Sequence, residues 1–241
     1  QEDVTIARTL AEPLPIRAIA TILQHNTSGF ATYADKGITS PADFEGKTYA
    51  GWGGPGEEAV LKAVMTNAGK DFSKLNVVTS DGSGFSALKD QVDIMWFFEA
   101  WDNIKCELNN FPIHYMPLRD LDARLDYYTP VLITSEEMIA DHPDTLRAFL
   151  RATTKGYEYA IANPDQAAAI LGKYAPDESP ELLKKSQEYL AGQYIADAPR
   201  FGEMKDSVWD GYTDFCMQYG VIGQKIAADQ LSDGIRRGDC R

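Results

Sequence analysis

The stretch Thr48-Tyr49-Ala50-Gly51-Trp52-Gly53-Gly54-Pro55-Gly56-Glu57-Glu58 runs from a short strand through a glycine loop into a helix. Thr48 to Gly51 has strand character, and Glu57 to Ala68 carries apolar residues at three- and four-residue spacing. Upstream, Asp43-Phe44-Glu45-Gly46-Lys47 reads as a turn into that strand. Downstream the alternation continues: Leu75 to Ser80 strand, Phe85 to Leu88 helix, Val92 to Phe97 strand, Trp101 to Leu108 helix, Ile113 to Pro117 strand. Strands and helices alternating with short connections predict an α/β core, from about Ala34 to Leu121, with a parallel sheet flanked by helices.

This core is entered and left by extended segments. Val4 to Leu10 is helix-like, Pro13 and Pro15 follow, and Ile16 to Leu23 is extended. The polar loop Gln24-His25-Asn26-Thr27-Ser28 then leads to Gly29–Tyr33. Tyr127 to Ile133 gives a second extended crossing, and nearly everything after it is helical, punctuated by Pro164, Pro176, Pro180 and Pro199. Paired crossings predict two lobes with a hinge, and ligand clefts favour such junctions. The expected division is 1–28 as the remainder of lobe 1 and first crossing, 29–126 as lobe 2, and 127–241 as second crossing and helix-rich part of lobe 1. The helices of that last part have few strands to cover, so either it is a helical bundle or, the preferred reading, the N-terminal part of lobe 1 is expected to lie upstream of Gln1.

Composition narrows the function classes. The 241 residues are 44% hydrophobic and 24% charged, a globular balance. Lys plus Arg total 23 against 36 Asp plus Glu, a formal net charge of -13, and the pairs Lys184-Lys185 and Arg236-Arg237 are isolated. Without a concentrated basic patch, nucleic acid is not an expected partner. Cys106, Cys216 and Cys240 share no metal-ligand spacing and allow at most one bridge. His25, His114 and His142 are widely spaced, so neither a zinc site nor a nucleophile–histidine pair is expected, and no catalytic residue is assigned. No apolar run approaches the roughly 20 residues that span a bilayer. Gln1-Glu2-Asp3 is no signal peptide, so any targeting segment is expected to have been removed or to lie outside this sequence.

The glycine loop matches G-x-G-x-x-G, and Asp81 ends the next strand where a ribose-binding acid would sit, so a dinucleotide site competes. Electrostatics oppose it. Glu57 and Glu58 stand at the helix N-terminus where a pyrophosphate would bind, and Pro55 removes a backbone donor. The loop is better read as one where backbone at Gly53 approaches a ligand, Trp52 stacks on it, and Glu57 or Glu58 accepts its N–H groups; a plain helix-starting acid explains Glu58 equally well. Trp96-Phe97-Phe98-Glu99-Ala100-Trp101-Asp102 sets two indoles, two phenyl rings and two carboxylates within seven residues. Rings supply flat contact area and carboxylates accept from ring amines, which suits a small, flat, nitrogen-rich molecule; a strand end with core aromatics turning into a helix whose first-turn acids complement its dipole explains the segment equally well. Ser83, in Asp81-Gly82-Ser83-Gly84-Phe85, holds a polar ligand atom or simply caps a helix. Asn26 lies in the polar loop near the presumed hinge, and at most one of Tyr127 and Tyr128 is expected to face the cleft.

Several of these segments together resemble one family. Gly51–Glu57, Trp96–Trp101, Leu118-Arg119-Asp120-Leu121 running into Leu125-Asp126-Tyr127-Tyr128-Thr129-Pro130, and Ser186-Gln187-Glu188-Tyr189-Leu190 with Ala196-Asp197-Ala198-Pro199-Arg200 resemble the ThiY-like substrate-binding proteins of ABC importers. The resemblance implies a periplasmic-binding-protein fold of two α/β lobes, a formylaminopyrimidine-type ligand salvaged for thiamine synthesis, a membrane permease as partner, and a periplasmic or cell-surface location. It implies no cofactor and no catalysis. Trp52, Glu57, Trp96, Glu99, Tyr127 and the Gln24–Ser28 loop, including Asn26, would line the cleft. Related binders take riboflavin or sulfonates, and the eukaryotic thiamine-pyrimidine synthases are enzymes whose cysteine-rich iron motif has no counterpart in three scattered cysteines. Family members also carry an N-terminal strand-helix-strand segment, which agrees with the sheet expected upstream of Gln1.

Overall fold

The computed structural model describes residues 1–82 and 84–233. α1 (Glu2–Arg8) leads to β1 (Ile16–Thr21) and β2 (Ser28–Tyr33). β3 (Thr48–Gly51), α2 (Pro55–Asn67), β4 (Asn76–Thr79), α3 (Ala87–Asp90), β5 (Ile94–Phe98), α4 (Ile104–Leu108), β6 (Ile113–Pro117) and α5 (Leu118–Leu121) follow. After β7 (Val131–Ser135) come α6 (Glu136–Asp141), α7 (Pro143–Ala162), α8 (Pro164–Leu171), α9 (Pro180–Ala191), α10 (Asp206–Gln218) and α11 (Ala228–Leu231). Contacts divide the chain into two units, Thr27–Leu125 and Gln1–Asn26 with the described residues from Asp126 onward.

Unit Thr27–Leu125 is built on a five-stranded sheet in the order β4-β3-β5-β2-β6. β3 runs parallel to β4 and β5, while β2 runs antiparallel to β5 and β6 on its two sides. The expectation of a parallel sheet is therefore corrected at one strand. Every strand reached through a helical connection, from β3 to β6, points the same way, as crossover geometry requires. β2 reaches β3 through short 3-10 turns rather than a helix and is the only reversed strand. Its assignment to a crossing is corrected too: Ser28–Thr32 is buried, and β2 fills the slot between β5 and β6.

Alternation along these strands sorts side chains onto two faces. Phe30, Tyr49 and Trp96 share one face, where Phe30 meets Phe44, Tyr49 and Trp96 edge-on at 5.6, 6.0 and 5.5 Å between ring centroids. Ala31, Ala50, Met95 and Phe97 share the other, packed with Ala87 and Leu88 of α3, Val92 and Cys106 of α4. α3 and α4 thus cover the second face, and the free ends of β3 and β5 carry the loops in which candidate residues lie.

In the other unit β1 pairs antiparallel with β7, Ile16 opposite Ser135 and Thr21 opposite Val131. Trp209 and Tyr128 pack with Val4, Ala18 and Leu231, and Ile19 and Ala20 pack with Leu146 and Leu150 of α7. Pro143, Pro164 and Pro180 each open a helix, where a missing N–H costs nothing. Ser135 and Ser179 accept from Met138 N (3.1 Å) and Leu182 N (3.4 Å), capping α6 and α9. The extended run expected from Tyr127 begins only at Val131, because Pro130 has no N–H for a ladder. No helix among the described residues is long and apolar enough to cross a membrane.

Candidate ligand-binding site

The Gly51–Gly56 loop is organised around one buried carboxylate. Glu57, only 3% exposed at the start of α2, folds back under its own loop. It accepts from Trp52 N at 3.2 and 3.1 Å through its two oxygens and from Gly53 N at 2.6 Å. The Tyr49 hydroxyl donates to Oε1 in a short hydrogen bond. Burial first, then the contact with Glu57, raises the Tyr49 pKa well above the ordinary phenol value, so it remains a donor. Gly51 has no side chain because a Cβ there would overlap the Glu57 carboxylate, and Gly53 takes φ 81°, which favours glycine. The acceptor role expected of Glu57 toward a ligand is thus already filled from within. Its neighbour Glu58 is exposed.

The loop presents Trp52 to solvent at 58% exposure. Trp52 leans edge-to-face on the half-buried Trp96 of β5, with centroids 5.2 Å apart and planes at 65°. The Trp96 Nε1 donor is buried and has no acceptor among the described residues. A buried N–H left without a partner costs roughly 1–3 kcal/mol.

Beyond β5 the helix expected from Trp101 begins earlier and wider, as a π-helical turn over Glu99–Asn103 that passes into α4. Its cause is local: the Asp102 carboxylate takes Phe98 N at 2.8 Å, and Glu99 N donates to Thr27 O at 2.9 Å. Burial raises the Asp102 pKa against the pull of that bond. π-turns are rare and are often found at functional sites. This one holds Glu99, half-buried, directly after the strand that carries Trp96. Lys105 Nζ lies 5.0 Å over the Trp101 ring, so Trp101 is already partnered.

Trp52, Gly53, Glu57, Trp96 and Glu99 therefore share the β3 and β5 ends of one unit. Ser83 lies outside the described residues. A hollow of about 220 Å³ beside that loop, lined by Ala50, Val78, Ser80, Asp81, Gln91 and Met95, is on the opposite sheet face from Trp96. Asn26 and Tyr127 belong to the other unit, where they meet each other: the Asn26 side chain hydrogen-bonds the Tyr127 hydroxyl. Tyr127 is buried and its ring lies 4.2 Å from that of Tyr212, whose hydroxyl donates to Glu2 in a short bond. Burial raises the pKa of both tyrosines. Tyr128 is buried as well, its oxygen accepting from Lys205 N at 2.8 Å. Neither tyrosine is thus a strand residue with one face open.

Three participants escaped the sequence reading. Tyr49 was legible in principle, since alternation along Thr48–Gly51 sets it on the Trp96 face. Tyr212 and Glu2 carry no signal of their contact with Tyr127, because the sequence separations are long. Among the described residues no group of three or more His, Cys, Asp and Glu is placed to hold a metal ion. Cys106 and Cys216 are buried free thiols, and Cys240 lies outside the described residues.

A family model described as NMT1/THI5 like matches residues 1–167. The chain belongs to the NMT1/THI5-like family. It is 26% identical over 244 residues to a formylaminopyrimidine-binding protein of Halalkalibacterium halodurans, covering 98% of this chain and 72% of that protein. To the riboflavin-binding protein RibY of Chloroflexus aurantiacus it is 21% identical, covering 95% and 66%. Against its own full length it spans 72% of the first relative and just under two thirds of the second. Its fold is that of the periplasmic aliphatic sulphonate binding protein SsuA from Escherichia coli, at a TM-score of 0.70, 14% identity, and coverage of 94% and 71%. The desulfurization enzyme DSZB shares it at a TM-score of 0.64, 12% identity, and coverage of 96% and 81%. This NMT1/THI5-like chain thus has the periplasmic-binding-protein fold, on which binders predominate among its relatives and at least one enzyme is built.

Proposed function

We propose that this NMT1/THI5-like protein captures a formylaminopyrimidine-type precursor of thiamine outside the cytoplasm and delivers it to the permease of an ABC importer. The observation that carries this reading is the Trp52–Trp96 corner with its unengaged Trp96 Nε1 donor. A flat heteroaromatic ring lies against the exposed Trp52 indole, a ring nitrogen or formyl oxygen accepts from Trp96, and an exocyclic amine donates to Glu99. Ring contacts contribute about 0.5–1.5 kcal/mol beyond area burial, and each hydrogen bond about 1 kcal/mol net. Burial of the ring adds to these contributions, and a largely preformed site limits the ordering cost that opposes them. The similarity to the H. halodurans formylaminopyrimidine-binding protein supports the ligand class. The reading is of a binder without a chemical step.

Riboflavin is the second reading, favoured by the similarity to RibY, since the same indole suits an isoalloxazine ring. A thermal-shift panel separates the two, because a ligand that binds only the folded state raises the melting temperature. The panel holds the formylated aminopyrimidine, thiamine, riboflavin, an alkanesulfonate and a nicotinamide dinucleotide. A shift with the aminopyrimidine and none with the others is expected. A shift with riboflavin or the sulfonate alone would transfer the protein to that ligand.

A further inference from the structure

We infer that Glu57 is a specificity-determining residue, a built-in anion that fills the donor cradle at the start of α2 and keeps phosphorylated or sulfonated ligands out of the Trp52–Trp96 site. This deepens the proposed function and rests on its placement of the ligand. The geometry is that of an anion-binding loop already occupied. The Trp52 and Gly53 amides converge on the Glu57 carboxylate at 2.6–3.2 Å, at the N-terminus of a thirteen-residue helix. Backbone donors at such a helix end favour negative charge and elsewhere cradle phosphates. Here the Tyr49 hydroxyl completes the ring of donors, and the missing Gly51 side chain leaves the carboxylate room. An incoming phosphate finds both amides engaged and meets a fixed negative charge in a low-dielectric setting, where like charges repel strongly.

A second observation points to what the site accepts instead. Beside this loop, on the ring that Trp52 contacts, the Trp96 indole N–H is buried without a partner among the described residues. It is a single uncharged donor. A ring nitrogen or carbonyl satisfies it, whereas a phosphate there faces Glu57 uncompensated. The preferred ligand is therefore an uncharged or cationic heteroaromatic with an acceptor edge. A phosphate ester of the same pyrimidine must lose its phosphate by hydrolysis before capture, and any phosphoryl transfer to the ligand must follow release.

The test is calorimetry on the full chain with a matched pair, the hydroxymethyl aminopyrimidine of thiamine and its phosphate monoester. Wild type, Glu57→Gln and Glu58→Gln are compared, with melting temperatures recorded. Wild type is expected to prefer the alcohol by about a hundredfold, Glu57→Gln to shrink that preference by about tenfold or more, and Glu58→Gln to change it by less than about threefold, where each tenfold is one decade in Kd. The exposed Glu58 carries the same charge in the same helical turn, so it controls for long-range repulsion. An equal preference in wild type and Glu57→Gln, or an equal effect of both variants, overturns the inference while leaving the aminopyrimidine reading intact. Should wild type bind neither compound, the aminopyrimidine reading falls, and the inference is decided by inorganic phosphate followed through Trp52 fluorescence. A phosphate-dependent change in Glu57→Gln and none in wild type supports it; identical responses overturn it. If Glu57→Gln does not fold, the wild-type pair decides: equal affinity for the alcohol and its phosphate monoester overturns the inference, and a preference of about a hundredfold for the alcohol supports it.

Discussion

The indole of Trp52, on the loop after β3, meets that of Trp96, on β5, edge to face at 5.2 Å. One ring is mostly in solvent and the other mostly in the sheet, so the pair forms a corner with an open apolar wall and a buried polar edge. Parallel pairing of β3 with β5 brings the two together, since it places the ends of both strands on the same side of the sheet.

Removal of the exposed wall separates binding from folding. Trp52→Ala is expected to weaken aminopyrimidine binding about tenfold, or roughly 1.4 kcal/mol, by calorimetry. Its 58% exposure leaves little packing to lose, so the unfolding free energy from urea denaturation is expected to stay within about 0.5 kcal/mol of wild type. Unchanged affinity would remove Trp52 from the site.

Tyr49→Phe tests the organisation beneath the wall. It deletes the hydroxyl that donates to Glu57 and leaves a buried carboxylate oxygen short of a partner. A loss of roughly 1–3 kcal/mol in denaturant unfolding is expected. A neutral substitution would show that Glu57 is satisfied by the loop amides alone.

Acid sensitivity has a named contributor in Asp122. The side-chain bond from Arg124, 2.6 Å at Nη2, is the main cause that holds this carboxyl below the usual carboxylate range. A carboxyl whose folded pKa is depressed stabilises fully above its unfolded value of about 3.9, and that contribution disappears as pH falls through the folded pKa. Asp122→Asn is therefore expected to be less stable at neutral pH and to show a shallower loss of stability below about pH 4, measured by urea unfolding across pH. Parallel curves for the two proteins would contradict the assignment.

The two described cysteines are expected to be inert. Burial pushes the Cys106 and Cys216 thiols up to about 12, which leaves almost no thiolate at neutral pH. Alkylation mapped by mass spectrometry should find both unmodified in native protein and modified after denaturation. Rapid native labelling of either would show that its surroundings open.

How much of this was legible in the sequence depended on how local the determinants are. Alternation of strand and helix from Thr48 to Pro117 carried the α/β core, and Pro164 and Pro180 marked the boundaries between α7, α8 and α9. The reversal of β2 was not legible, because strand character says nothing of direction and the connection to β3 holds no helix. Trp52 and Trp96 stood out by their chemistry, but the inward turn of Glu57 did not, since an acid in a first helical turn reads the same whether it faces a ligand or its own loop. His25 shows the same limit. It looked like a loop residue, yet its ring lies between Asp126 (2.6 Å) and Asp197 (3.1 Å), while Asp126 also takes Asn26 N at 2.9 Å. These partners are distant in sequence, and only the fold brings them together.

The most direct test is titration calorimetry of the full chain with the formylated aminopyrimidine, run beside Trp96→Phe, which keeps an aromatic ring and deletes the indole donor. Micromolar or tighter binding to wild type, weakened about tenfold in Trp96→Phe without loss of stability, is the expected result for a ligand that accepts from Trp96 Nε1. No measurable binding to wild type, or equal affinity in the two proteins, would contradict it.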